Sequence, residues 1–332
     1  MPGASSERST PPANGMGSTD AAAQRNERSG LSNADCRLTY DPPYDWPGVL
    51  AFLEKRLLRG AERVADGAYE HTARLGDHVG RIHVSHAASA QAIEVRVTAS
   101  LWPVLAEVVQ RVRHVFDVDA RPGVIAAHLA RDPLLADAVA RAPGLRVPGA
   151  FDGFELAVRA ILGQQITVRA AATLAGRFVA AFGDPVDTTV PDLTHLAPTP
   201  ARVAALDPPE IAALGIVRAR AASIVALADE VASGRLVLEA GADPEATMTQ
   251  LVRQPGIGRW TAHYIALRAL RWSDAFPRED IVLQKQMGGL TARAAEARSQ
   301  PWRPWRSYAT LHLWRAAGEA AQRRTEARGA LR

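Results

Sequence analysis

The spacing of apolar residues changes character along the chain. Val49, Leu50, Phe52, Leu53 and Leu57 recur at helical spacing and predict a helix over 47–58. "GRIHVSH" and "AIEVRVTA" then alternate apolar with polar, most clearly at Ile93, Val95 and Val97, which is strand period. Leu101, Leu105, Val108, Val112 and Val115 return to helical spacing in "LWPVLAEVVQRVRHVFD". A small α/β domain with an antiparallel sheet is therefore expected over 37–120.

After Arg121 the strand signals fade. "FDGFELAVRAILGQQITVRAAATLAGRFVAAFG" reads as two helices joined near Gly163–Ile166, and "PEIAALGIVRARAASIVALADEVASG" as two more, broken at Gly215. "PEATMTQLVRQ" is a short helix and "IVLQKQMGGL" another. The fold class expected is α+β: a small antiparallel-sheet domain, then a mostly helical region in two subdomains. The subdomains would be 151–272, and 121–150 together with 273–325. Residues 1–36 are polar and without apolar period, and predict a disordered tail; 326–332 read as a second tail.

Composition narrows this picture modestly. With 47% hydrophobic and 22% charged residues in 332, a soluble globular protein is expected. No apolar run is long enough to cross a bilayer, and no secretory signal is visible, so a cytoplasmic location is expected. Cys36 is the only cysteine, which excludes an internal disulfide, a cysteine zinc site and an iron–sulfur cluster. A net charge of +4 suits a nucleic-acid partner without establishing one.

"QPGIGRWTAHY" carries the first chemistry. Gly256 and Gly258 flank Ile257 between two helical patterns. Glycine tolerates positive φ and has no Cβ, so such a turn brings backbone N–H groups and a helix N-terminus close to an anion. A DNA phosphate, bound without reading sequence, is the natural candidate; a glycine-capped turn is the simpler alternative. Asp280 precedes a helix and suits an N-cap; Glu279 beside it is a rival acid.

These stretches resemble a family. "LVRQPGIGRWTAHYIALRAL" is similar to the helix–hairpin–helix of the base-excision DNA glycosylases. "YDPPYDW", "FELAVRAILGQQ" and "WRPWRSYATLHLW" resemble the AlkA-type branch, the 3-methyladenine DNA glycosylase II proteins. The resemblance runs from about Leu38 to about Ala317.

It implies a monofunctional glycosylase of base excision repair that flips alkylated purines from double-stranded DNA and hydrolyses the glycosidic bond. Asp280 becomes the catalytic carboxylate. Trp260, Tyr264, Trp314 and Phe52 become the base pocket, and Gly256, Ile257, Gly258 and Thr261 the DNA grip. Gln165 takes the wedge position, where the family often has leucine. The Schiff-base lysine of strand-cutting relatives is replaced by Trp260, and the only later lysine is Lys285. Ile281 stands where the family has an aromatic, and Pro277 lies one step further from the acid than usual. No cofactor is required, although a monovalent cation on hairpin carbonyls is implied. A monomer without membrane contact is expected. A non-enzymatic helix–hairpin–helix module, or a glycosylase for other lesions, remains the alternative. Arg303 and Arg306 are left between phosphate contact and covering aromatic surface; His263 and His312 read as packing residues.

Overall fold

The computed structural model describes residues 36–330, with side chains to 327. The expected tail over 1–36 lies outside the described residues except for Cys36. Cys36 does not belong to a tail: it opens β1 (Cys36–Thr39) opposite Val95.

The N-terminal unit is a five-stranded antiparallel sheet of β1, β2 (Glu62–Ala65), β3 (Ala68–Leu75), β4 (His78–Ala87) and β5 (Ala92–Val97), in the order β1-β5-β4-β3-β2. Ile93, Val95 and Val97 are fully buried, while Glu94 and Arg96 on the other face are only partly covered. That contrast is the alternation visible in the sequence. β3 shows none, because Glu70, His71 and Thr72 are all buried beside Tyr69 and Ala73. Its second face is covered rather than wet: Arg81 pairs with Glu70 at 2.8 Å, and the Thr72 hydroxyl donates to His195 O at 2.6 Å. Buried polar residues erase the period-two signal.

α1 spans Trp46–Glu54, shorter than expected, with Asp45 accepting from Gly48 N at 3.0 Å as its N-cap. The helix expected from Leu101 onward begins irregularly. Pro103 lies within a 3₁₀ stretch, Ala99–Val104, and the regular α2 runs only over Leu105–Val115. Proline cannot donate the N–H that an α-helix needs there.

The helical region follows as α3 (Pro122–Leu129), α4 (Pro133–Arg141), α5 (Gly153–Leu162) and α6 (Val168–Phe182). A two-residue strand pair, β6 (Asp184–Pro185) and β7 (His195–Leu196), was not expected. Then come α7 (Pro200–Ala204), α8 (Pro208–Ala212), α9 (Arg218–Ala232), α10 (Pro244–Arg253) and α11 (Arg259–Arg268). α12 (Ile281–Gln286), α13 (Ala292–Arg298) and α14 (Arg306–Ala330) complete it. α12 stops before the expected "MGGL" because Gly288 and Gly289 both take positive φ, 86° and 79°. α14 continues through Ala330, so residues 326–330 are helix rather than tail.

α5 is the central helix. Leu156, Ala157, Ile161 and Leu162 are fully buried, and the helix packs against α9 and α11. Truncating one of those leucines to alanine costs about 2–5 kcal/mol in a core of this kind. α14 packs on α4 and α12, so the end of the chain returns to the segment that opens the helical region. No helix of the described residues is long and apolar enough to cross a membrane.

Candidate active site and hairpin

The loop from α11 to α12 is fixed from behind. Arg306 of α14 is buried and donates to both carboxylate oxygens of Asp274, at 2.7 and 2.8 Å, and to Glu296 at 2.8 Å. Arg303 also reaches Asp274, at 2.8 Å. The Ser307 hydroxyl donates to Trp272 O and Ala275 O. Arg303 and Arg306 are thus loop anchors. Phe276 is buried with its ring edge-on to Trp302 at 6.0 Å. Held in this way, the loop delivers Asp280 to the start of α12.

Asp280 is 8% exposed and engaged on both oxygens. Oδ1 accepts from Leu283 N at 2.8 Å, which is the N-cap bond, and from Trp314 Nε1 at 3.2 Å. Oδ2 accepts from Trp260 Nε1 at 2.8 Å. All three partners are donors, which is what an acceptor-only, ionised carboxylate takes. Glu279 turns elsewhere, pairing with Arg278 at 3.0 Å.

Trp260 and Tyr264 lie one turn apart on α11 and stack on each other, centroids 5.4 Å apart and 6° from parallel. No base fits between that pair. Trp314 stands 6.3 Å from Tyr264 at a tilt of 44°. These three rings therefore form one wall, with the carboxylate at the indole edges of Trp260 and Trp314. Phe52 is farther back: the guanidinium of Arg56 lies 3.8 Å from its centroid and that of Arg268 at 5.1 Å. Arg268 is buried, donates to the Tyr264 hydroxyl at 3.0 Å, and is held by Pro148 O and Gly149 O. Sequence reading missed both arginines, because nothing in an isolated Arg says that its head lies behind a ring.

Their charge has a measurable consequence. Burial pushes the Tyr264 phenol up, but Arg268 and Arg56, with the hydrogen bond from Arg268, outweigh it and bring the phenol down to about 8. Tyr40, Tyr44, Tyr69 and Tyr308 are all displaced upward, chiefly by burial. A spectrophotometric pH titration should therefore show one of the five tyrosines ionising near pH 8. Tyr264→Phe should remove that step; a first step retained in the variant contradicts the assignment.

The hairpin between α10 and α11 has Gly256 at φ +76° and Ile257 buried as its anchor. A Cβ on Gly256 would fall 2.2 Å from Ser223 Oγ. Gly258 differs: its φ is −84° and a Cβ there meets nothing within 4 Å. The first N–H groups of a helix have no partner within it, and Ala262 is the first residue of α11 to find one, on Gly258 O at 3.0 Å. The exposed end of α11 thus offers donors outward. Thr261 is buried, and its hydroxyl accepts from Gln164 Nε2 at 3.1 Å. Gln164 also donates to Gly256 O at 2.9 Å, tying the α5–α6 turn to the hairpin. Gln165, next to it, is exposed at φ +56°. A non-glycine residue in that region is strained, and strain of this kind gathers at functional positions.

Ile281 is 65% exposed beside Asp280. Lys285 is exposed on α12 and is not among the hydrogen-bond donors to Asp280. His263 and His312 are largely buried, and burial lowers both to about 4. His263 stacks on Trp272 at 6.2 Å. Two cavities, of about 70 and about 320 Å³, lie elsewhere: neither is lined by Asp280, Trp260 or Trp314.

An N-terminal sheet domain, a helix–hairpin–helix and a carboxylate at indole edges form a combination that can be compared with known proteins. The AlkA N-terminal domain matches residues 35–152, and the HhH-GPD superfamily of base excision DNA repair proteins matches 158–301. The chain is 36% identical over 281 residues to DNA-3-methyladenine glycosylase 2 of Escherichia coli, covering 85% of this chain and 97% of that protein. It belongs to the AlkA-type DNA-3-methyladenine glycosylase family. It is also 39% identical over 300 residues to a probable bifunctional transcriptional activator/DNA repair enzyme AlkA of Mycobacterium tuberculosis, spanning 89% of this chain and 59% of that one. The fold matches a 3-methyladenine DNA-glycosylase from Archaeoglobus fulgidus with a TM-score of 0.71 at 19% identity, over 85% of this chain and 98% of that one. The match to the Escherichia coli relative spans both domains, so this is a DNA-binding glycosylase of base excision repair rather than an isolated hairpin module.

Proposed function

We propose that this glycosylase flips cationic alkylated purines, 3-methyladenine and 7-methylguanine among them, out of double-stranded DNA and releases them by hydrolysis. The observation that carries the reading is the Asp280 carboxylate fixed by the Trp260 and Trp314 indole N–H groups and the Leu283 N–H. A purine alkylated at N3 or N7 is positively charged and leaves as a neutral base. Bond breaking takes the electron pair to the base and leaves positive charge on the sugar, which Asp280 stabilises. Water then bonds to C1′ and gives up a proton, leaving an abasic site.

The aromatic wall favours the charged base by cation–π attraction, worth about 0.5–2 kcal/mol. Arg56 and Arg268 lie at the hydroxyl end of Tyr264, so the cationic base is drawn towards the Asp280 end instead. Gln165 is the wedge that fills the space the base leaves, and the α11 N-terminus with Gly256 and Gly258 grips phosphate. Gly256 O accepts one hydrogen bond and keeps one lone pair, so a monovalent cation on the hairpin carbonyls is compatible with the turn. Such an ion adds positive charge beside the phosphate.

No general acid stands beside the carboxylate among the groups that bond it. Single-turnover excision of 3-methyladenine should therefore exceed that of neutral hypoxanthine by at least about a hundredfold, the low side of what a positioned acid supplies. Equal rates overturn the charge argument. Borohydride should trap no covalent adduct with DNA, because Trp260 occupies the lysine position; a trapped adduct overturns the monofunctional reading.

A further inference from the structure

A buried polar cluster lies outside the groups used above. Glu62 on β2 and His71 on β3 face each other across the ladder, and Glu155 reaches them from the first turn of α5. One ligand-type atom from each lies within 4.8 Å of the other two. His71 is 1% exposed, yet neither ring nitrogen has a hydrogen-bond partner. Oε2 of Glu155 is buried and equally without one. Buried polar atoms are nearly always satisfied, and an imidazole and a carboxylate oxygen left without partners in one buried cluster call for something between them.

The geometry points to a site for one divalent transition-metal ion of the zinc type, held by His71, Glu155 and Glu62, which fastens the N-terminal sheet to the helical region. Glu62 is already ordered: Oε1 accepts from the Tyr69 hydroxyl at 2.9 Å, and Oε2 from Leu58 N and Arg159 Nη1 at 2.6 and 2.8 Å. That leaves Oε1 one acceptor position for the ion. Arg159 is spent on Glu62, and Glu155 has no ion pair of its own among the described residues. The His71 ring is held by Phe151, centroids 4.7 Å apart, and by Tyr69 at 6.3 Å.

The cavity of about 70 Å³ borders both His71 and Glu155, with Asp152, Thr72 and Arg111 around it. A water needs only about 10–15 Å³ measured this way, so there is room to complete the coordination. One imidazole nitrogen, two carboxylates and a water form a three-protein-ligand zinc set. Mg²⁺ and Ca²⁺ prefer all-oxygen shells, which the imidazole spoils. The ligands come from three separate elements, so the ion acts as a staple. Through Arg159, which also donates to Arg56 O at 3.2 Å, the staple is continuous with the backing of Tyr264.

The test uses the full chain, stripped with chelator, loaded with Zn²⁺ and dialysed against metal-free buffer. Bound zinc is read by elemental analysis, and the unfolding temperature with and without zinc. One equivalent should be retained and Tm should rise by several degrees. Glu155→Gln should still fold, judged by circular dichroism. Its zinc affinity should fall by about a hundredfold or more, and its Tm should no longer respond. His71→Asn should behave likewise; if that variant does not fold, Glu155→Gln decides alone. Absence of retained zinc and of a Tm shift in the unaltered chain overturns the proposal. So does zinc held undiminished by Glu155→Gln, which would place the ion elsewhere.

Discussion

Asp280→Asn is expected to lower single-turnover excision of 3-methyladenine by about 10²–10⁴-fold. The magnitude follows from what the carboxylate does in the proposed reaction. Its charge is complementary to the sugar only while the base departs, so its loss falls on the chemical step. The exchange is otherwise mild. An asparagine Oδ1 still accepts from Leu283 N, so α12 keeps its cap. The new amide faces Trp260 Nε1, donor against donor, and that local conflict is the main structural cost. Binding of undamaged duplex should be retained or slightly tighter, since a negative charge has left a surface that meets phosphates. Gel-shift titration beside single-turnover kinetics separates the two effects. Excision unchanged in a folded variant removes Asp280 from the mechanism; lost binding and lost excision together make it a structural residue.

Gly258→Ala has the second large effect, and its value lies in what it leaves alone. Gly258 sits at an ordinary φ of −84° in open space, so neither backbone nor packing asks for glycine there. As an N-cap, alanine costs at most about 1 kcal/mol. Only an external partner that must approach the backbone closely would be obstructed by the methyl group. DNA affinity should drop about tenfold or more, with Tm lowered by only a few degrees. Gly256 does not offer this separation, because a Cβ there strikes Ser223 and the residue needs φ +76°. DNA affinity unaltered in Gly258→Ala would leave the hairpin as a turn and nothing more.

Much of this was legible in the sequence, but unevenly. The helices α5, α6 and α10 carry clear apolar stripes, and β5 alternates because one of its faces is buried and the other only partly covered. β3 was hidden because Glu70, His71 and Thr72 are polar yet buried, on both faces of the strand. Asp280 as an N-cap was readable from the residues; the catalytic role proposed for it has no such signal and comes from the resemblance. Residue types at the aromatic wall were expected, but not their orientations. That the Trp260 and Trp314 indoles present their N–H edges to Asp280, and that Trp260 stacks on Tyr264, depend on packing that no spacing rule encodes. Gln164 and Gln165 are adjacent and identical in type. Only the φ of +56° at Gln165 shows why one is free at the turn and the other is tied to the hairpin.

The most direct test is to incubate the purified chain with methylated double-stranded DNA, identify the freed bases by mass spectrometry and examine the strands. The account predicts 3-methyladenine and 7-methylguanine released well above the spontaneous rate, from strands that stay intact until the abasic sites are cleaved by alkali. Release no faster than in buffer, or strands already cut by the protein, would contradict it.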